Sequence, residues 1–169
     1  LRSDPGYNII CAWEELRELA KVNIEAARGK LADILCNYQG YRKCTLILVF
    51  DAYRVEGNPG EIQKYHNIHI VFTKEAETAD QYIEKTVKKI ARSAYVTVAT
   101  SDALEQVIIL GQGAHRMSAP GLKEEVERVF EEVRGGHLGK GPTLRNYLFD
   151  YLDARSAREM EEVRLGKDV

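Results

Sequence analysis

Cysteine is scarce in this chain: 169 residues contain three, Cys11, Cys36 and Cys44. The number is odd and no two form a Cys-x-x-Cys pair. That argues against a disulfide framework and against a zinc site, and it fits a reducing, cytoplasmic compartment. Long apolar runs are lacking too. No stretch nears the ~20 residues needed to span a bilayer, so no membrane association is expected. A charge excess of either sign is also missing. Lys and Arg total 24 against 26 Asp and Glu, a net of −2. With no global basic field, any nucleic-acid contact has to come from a local patch. Internal repeats, low-complexity segments and a second domain are not evident.

What is present suits one globular domain over residues 1–169, with 44% hydrophobic residues to fill a core. The chain starts at Leu1 rather than Met, and the expectation is a piece of a larger polypeptide. From Trp13 to about Tyr38, apolar residues recur at helical spacing, which predicts one long amphipathic helix. "TLILVFD" follows, an unbroken apolar run of the kind found in parallel strands buried on both faces. "NIHIVFT", "YVTVATSD" and "QVIILGQ" read as further strands, with a helix from Ala79 to about Arg92 between the first two of these. Strands alternating with helices predict an α/β sheet in parallel order. Helices are expected to close the chain over about 120–164. "APGLKEEVERVFEEV" has Pro120 near its start, "GGHLGKG" breaks it, and a last helix is expected over Thr143–Arg164.

The chemistry is suggested by acids at strand ends. Asp51 ends "LILVFD", Asp102 ends "VTVATSD", and "IHIVFT" leads into Glu75, Glu77 and Asp80. Ligand sites of open parallel sheets lie beyond the carboxyl ends of the strands, so neighbouring strands would converge these carboxylates on one rim. Two like charges about 4 Å apart repel by roughly 4 kcal/mol at an effective dielectric of 20. Such a cluster calls for protons or a cation. Oxygen ligands without cysteine favour Mg²⁺ or Mn²⁺ over Zn²⁺, and such an ion activates water and steadies phosphoryl displacement. A plainer explanation competes. Thr78-x-x-Gln81 is a capping box, and Asp80 in the first turn complements the helix dipole. Capping one helix does not account for acids on two other strand ends, and spacing alone leaves both explanations open.

Other motifs carry less. "DAY" lacks the second Asp of an aspartyl-phosphate loop. "GQG" is a glycine pair without the dinucleotide fingerprint, and "GGHLGKGPT" has the wrong spacing for a phosphate loop. His66 and His69 stand three apart at a strand boundary, where opposite facings are expected. Arg54, Lys74, His115 and Arg116 fall near the expected rim and are candidates to contact phosphate. Tyr7, Tyr53 and Tyr82 are candidates to stack on bases, although packing is the commoner fate of a tyrosine.

Taken together, "GYNIICAWEEL", "ILVFDAYRV", "HIVFTKEAETADQYIEK", "VTVATSDALEQ" and "GQGAHRMSAPGLKEEV" resemble the YacP-like NYN domain family of the PIN-like nucleases. These stretches cover most of Gly6 to Val133. The resemblance implies a PIN-like α/β/α sandwich with a central, mostly parallel sheet. It further implies metal-dependent endoribonuclease chemistry with Mg²⁺ or Mn²⁺ at an acidic rim. Carried over by position, Asp51, Asp80 and Asp102 are the acidic residues, and Asn8 is the Asn of the opening motif. The family pattern opens with an apolar central strand running into Asp-Gly-Tyr-Asn. Here the text is "LRSDPGYN". Asp4 is displaced by one, Pro5 takes the place of the first acid, and the apolar run is absent.

The expected function is therefore an endoribonuclease cleaving RNA phosphodiester bonds, with mRNA on the ribosome as the expected target. Asp51, Asp80 and Asp102, with Asp4 as a further acid, would hold metal. Asn8 would position a ligand or water, and Arg54, Lys74 and Arg116 would hold the strand. The alternative is a catalytically impaired RNA- or ribosome-binding module of the same fold. A small-molecule phosphohydrolase would share the same rim.

Overall fold

The structure, a computed structural model, describes residues 5–51, 60–74 and 76–135. Its elements run α1 (Pro5–Ala12), α2 (Glu14–Val22), α3 (Ile24–Arg42), β1 (Ile47–Phe50), β2 (Glu61–Tyr65), β3 (Ile68–Phe72), α4 (Ala79–Ile90), β4 (Thr97–Ala99), α5 (Ala103–Gly111), β5 (His115–Met117) and α6 (Ala119–Arg134). Two short sheets form. In one the order is β1-β3-β2, with β1 and β3 parallel and β2 antiparallel to β3; in the other, β4 pairs in parallel with β5. Helices and parallel-containing sheets mix as the sequence predicts.

The strand residues of β1 explain the layering. Leu48 and Phe50 point one way, into a core shared with α1, α2, α3 and α6, while Val49 points the other way against Ala79 and Tyr82 of α4. A strand buried on both faces cannot alternate polar and apolar residues, hence the continuous run. A third cluster joins Val87 of α4, Val98 of β4 and Ile109 of α5. The first core is tied across the chain by the Trp13 indole, whose Nε1 donates to the Ala119 carbonyl at 2.9 Å in a buried position.

Several expectations need correcting. The single helix expected from Trp13 to Tyr38 is broken. Asn23 adopts an extended conformation, and its side chain accepts hydrogen bonds from the Glu25 and Ala26 amides, which caps α3 as a new helix. "QVIILGQ" is not a strand but the second half of α5, with only Ile109 among Val107–Leu110 turned inward. A short apolar run fits either period, so its length misled. The strands that were missed are β2 and β5. β2 is the solvent-facing arm of a hairpin and mostly polar, and β5 is only three residues long. Pro5 opens α1, a position where its missing N–H costs nothing. Among the described residues no helix is long and apolar enough to cross a membrane. Glu75, the Gly135–Gly141 breaker beyond Gly135 and the Thr143–Arg164 helix lie outside the described residues.

Candidate active site

Asp51 immediately follows β1 and is buried, 7% exposed. A carboxylate so deep needs donors, and it has them. Thr73, just past β3 and itself 2% exposed, donates its hydroxyl to Asp51 Oδ1 at 3.1 Å; the Ala79 amide, first in α4, donates to the same oxygen at 3.0 Å. The second contact puts the acid at the electropositive start of a helix. One turn of sequence therefore links the ends of β1 and β3 to α4.

Asp80 is the next residue of that helix. The capping box expected from Thr78 and Gln81 forms in full: Thr78 Oγ1 accepts from the Gln81 amide and the Gln81 side chain accepts from the Thr78 amide. The helix start is thus satisfied without Asp80. Its Oδ1 is buried with no hydrogen-bond partner. Burial first, then the negative charges of Asp102 and Asp51, push its carboxyl up to about 6 from an ordinary 3.8. That shift reports on geometry, because the acids of three separate segments act on one another across a shared space. The capping explanation is borne out for Thr78 and Gln81, with Asp80 in the first turn of the same helix.

Asp102 precedes α5, and its amide donates to the hydroxyl of Thr100 at 3.1 Å. Thr100 is fully buried at the end of β4, and its own amide donates to the Met117 carbonyl of β5. Asn8 lies half-buried on α1. The start of that helix is pressed onto the end of β1. A Cβ at Gly6 would stand 2.5 Å from the Phe50 ring and 2.6 Å from the Val49 carbonyl oxygen, so only glycine permits the approach. Tyr7 packs on Phe50 with ring centroids 5.4 Å apart.

Of the expected phosphate contacts, Lys74 is exposed next to Thr73, and Arg116 is exposed in the middle of β5. Arg54, Tyr53 and Asp4 lie outside the described residues. His66 is exposed on the β2–β3 turn and His69 is half-buried in β3. Sequence reading passed over Thr73 and Thr100. Their signal was present: a hydroxyl residue closes each of "IHIVFT" and "VTVAT", where the strand has already turned polar.

The donors available to a cation are hard carboxylate oxygens, one of them orphaned and buried, which fits Mg²⁺ or Mn²⁺. Among the described residues no three His, Cys, Asp or Glu side chains are drawn into closed ligating geometry.

A family model for the YacP-like NYN domain matches residues 5–165. The chain belongs to the YacP-like NYN domain family. Among curated proteins, Uncharacterized protein YacP of Bacillus subtilis (strain 168) is 44% identical over 129 residues, spanning 76% of this chain and 75% of the relative. Among solved structures, Rae1 (YacP) from Bacillus subtilis matches with a TM-score of 0.65 at 35% identity, covering 96% of this chain and 83% of that one. A mutant form of the same protein matches with a TM-score of 0.67 at 39% identity, over 78% and 77% of the two chains. As a member of the YacP-like NYN family, the chain has a nuclease-type, RNA-related fold.

Proposed function

We propose that this protein is a divalent-metal-dependent endoribonuclease that cleaves phosphodiester bonds of RNA, with ribosome-bound mRNA as its substrate in the cytoplasm. The observation that carries the proposal is the state of Asp80: half-buried, with no hydrogen-bond partner for its buried Oδ1, and with its pKa raised to about 6 by burial first and then by the charges of Asp102 and Asp51. A carboxyl kept in that condition costs stability, and perturbed groups of this kind gather at functional sites. Asp51, Asp80 and Asp102 would hold Mg²⁺ or Mn²⁺, with Asp4 as a further acid. When bound, such an ion neutralises charge on the phosphate and lowers the pKa of water.

The protein's own residues set up that chemistry. Thr73 and the Ala79 amide fix one oxygen of Asp51 and so orient the carboxylate. Thr100 fixes the backbone that leads to Asp102. Asn8 would position a ligand or water, while Lys74, Arg116 and Arg54 would hold the RNA backbone. The test is incubation of labelled single-stranded RNA with Mn²⁺, repeated with Asp80→Asn. Metal-dependent cleavage lost in the variant supports the proposal; cleavage equal in both, or none under any metal condition, defeats it.

Pro5 favours a second reading. It opens α1 where the family pattern has its first acid, which suits an RNA- or ribosome-binding module without turnover. That module would bind RNA with an affinity that falls with salt and leave it intact.

A further inference from the structure

Arg28 lies in the second turn of α3, with its guanidinium carbon 5.9 Å from the centroid of the Phe50 ring and 5.7 Å from that of Phe72. A cation within about 6 Å of a ring face is drawn to it. Phe50 and Phe72 are the last residues of β1 and β3, partners in register, and their rings stack with centroids 5.8 Å apart. The guanidinium is thus anchored on two rings at once, at the carboxyl ends of two parallel strands. That is where open parallel sheets bind ligands.

Two features set Arg28 apart from a side chain that only covers the rings. The first is a charge that is poorly answered. Its ion-pair partner among the described residues is Glu25, one turn earlier on the same helix and 80% exposed, and an ion pair so open to water contributes little. The second is its position against the acidic rim. Phe50 is followed by Asp51, and Phe72 by Thr73, whose hydroxyl donates to that acid. Successive strand residues face opposite ways, so Phe50 turns to the α3 layer and Asp51 to the start of α4. Arg28 and the acids therefore flank the same strand ends from opposite sides. A polyanion drawn to Asp51, Asp80 and Asp102 meets three negative side chains, and a cation fixed just across the edge offsets them. Arginine suits the place better than lysine, because it stacks on aromatic faces and presents a fork of donors that matches phosphate.

We propose that Arg28 is an RNA-binding residue. Its guanidinium, held by Phe50 and Phe72, takes a phosphate neighbouring the one at the acids, so that a single strand of RNA crosses the carboxyl ends of β1 and β3 from the α4 side to the α3 side. Anchoring the guanidinium on the rings before the ligand arrives spares the ordering of a long side chain on binding. The inference rests on the reading of the acidic rim as an RNA-cleaving site, and it assigns Arg28 to binding rather than to the reaction.

The experiment compares the parent with Arg28→Met, whose unbranched stem still covers the rings, and with Arg28→Gln, a second neutral variant judged by the same readout if the first folds poorly. The control is Lys88→Met, exposed in the last turn of α4, the end of that helix remote from Asp51. Binding of a labelled single-stranded oligoribonucleotide is measured in EDTA over a range of salt. The neutral variants should bind about fivefold more weakly at low salt, with a slope of log K against log salt shallower by about 0.7, the loss of one phosphate contact on a single strand. The control should match the parent. With Mn²⁺ supplied, KM should rise while kcat holds, as for a contact made equally in ground and transition states. Affinity and slope equal to the control's, with only the melting temperature lowered, would make Arg28 a cover for the rings and overturn the proposal, as would a parent that binds no RNA. A fall in kcat at unchanged KM would place Arg28 in the reaction and overturn its assignment to binding. A parent whose RNA binding depends on Arg28 but which cleaves nothing with Mn²⁺ would uphold this inference and defeat the nuclease reading alone.

Discussion

At the scale of single residues, the site stores its cost in one carboxyl. Between about pH 4 and 6 folded Asp80 binds more protons than the unfolded chain, since its pKa is raised to about 6 from 3.8. Stability contributed by that proton is present in full below the unfolded value and is lost as pH rises through about 6. Asp80→Asn removes the dependence. In EDTA the variant should melt higher than the parent at pH 7.5, with the difference closing toward pH 4; with Mn²⁺ supplied, its RNA cleavage should fall at least a hundredfold below the parent's. Equal melting temperatures at both pH values would contradict the burial and charge described here. Thr73→Val acts on the neighbouring acid without changing side-chain shape. It removes a hydroxyl from a buried carboxylate and should cost about 1.5–3 kcal/mol in urea denaturation. Thr73 and Thr100 were passed over although each closes a strand run, because a hydroxyl at a strand end also suits a turn residue.

At the scale of elements, caps and close approaches decide where helices begin. Asn23→Ala deletes the acceptor of two amides at the start of α3 and should cost about 1 kcal/mol, read as a lower urea midpoint with an unchanged slope. Gly6→Ala should cost more, about 1–3 kcal/mol, because its methyl would meet the Phe50 ring and the Val49 carbonyl. Circular dichroism melts would rank the two. β1 was legible from its unbroken apolar run, and β3 from "IHIVF", apolar but for His69. So were α4, from its capping box, and α6, from Pro120. α5 and β2 were not. In α5 three of the four apolar residues Val107–Leu110 stay exposed, with Val107 at 65%, so composition exaggerates its burial. In β2, burial is too slight for the pattern to register. The break at Asn23 could have been read, since Asn followed by a helical run is a cap signal that the surrounding periodicity masked.

At the scale of the whole molecule, one buried hydrogen bond reaches across 106 positions, from Trp13 to Ala119. Trp13→Phe keeps most of the packing but strands the Ala119 carbonyl, and should lower stability by about 1–3 kcal/mol. Because the bond joins the first helices to α6, the loss should appear at one shared midpoint by circular dichroism and by tyrosine fluorescence. Separate midpoints would mean that the helices melt independently of the strands. The acids were found in the sequence because their positions follow strands, but their mutual influence needed the fold, since it depends on which strand ends share a rim. Asp51 holds the first peptide of α4, and Asp80 is the second residue of that helix. The two acids therefore ride on one lever: a tilt of α4 that shifts Asp80 pulls on Asp51 as well, so a substrate pressing on the helix would adjust both at a stroke.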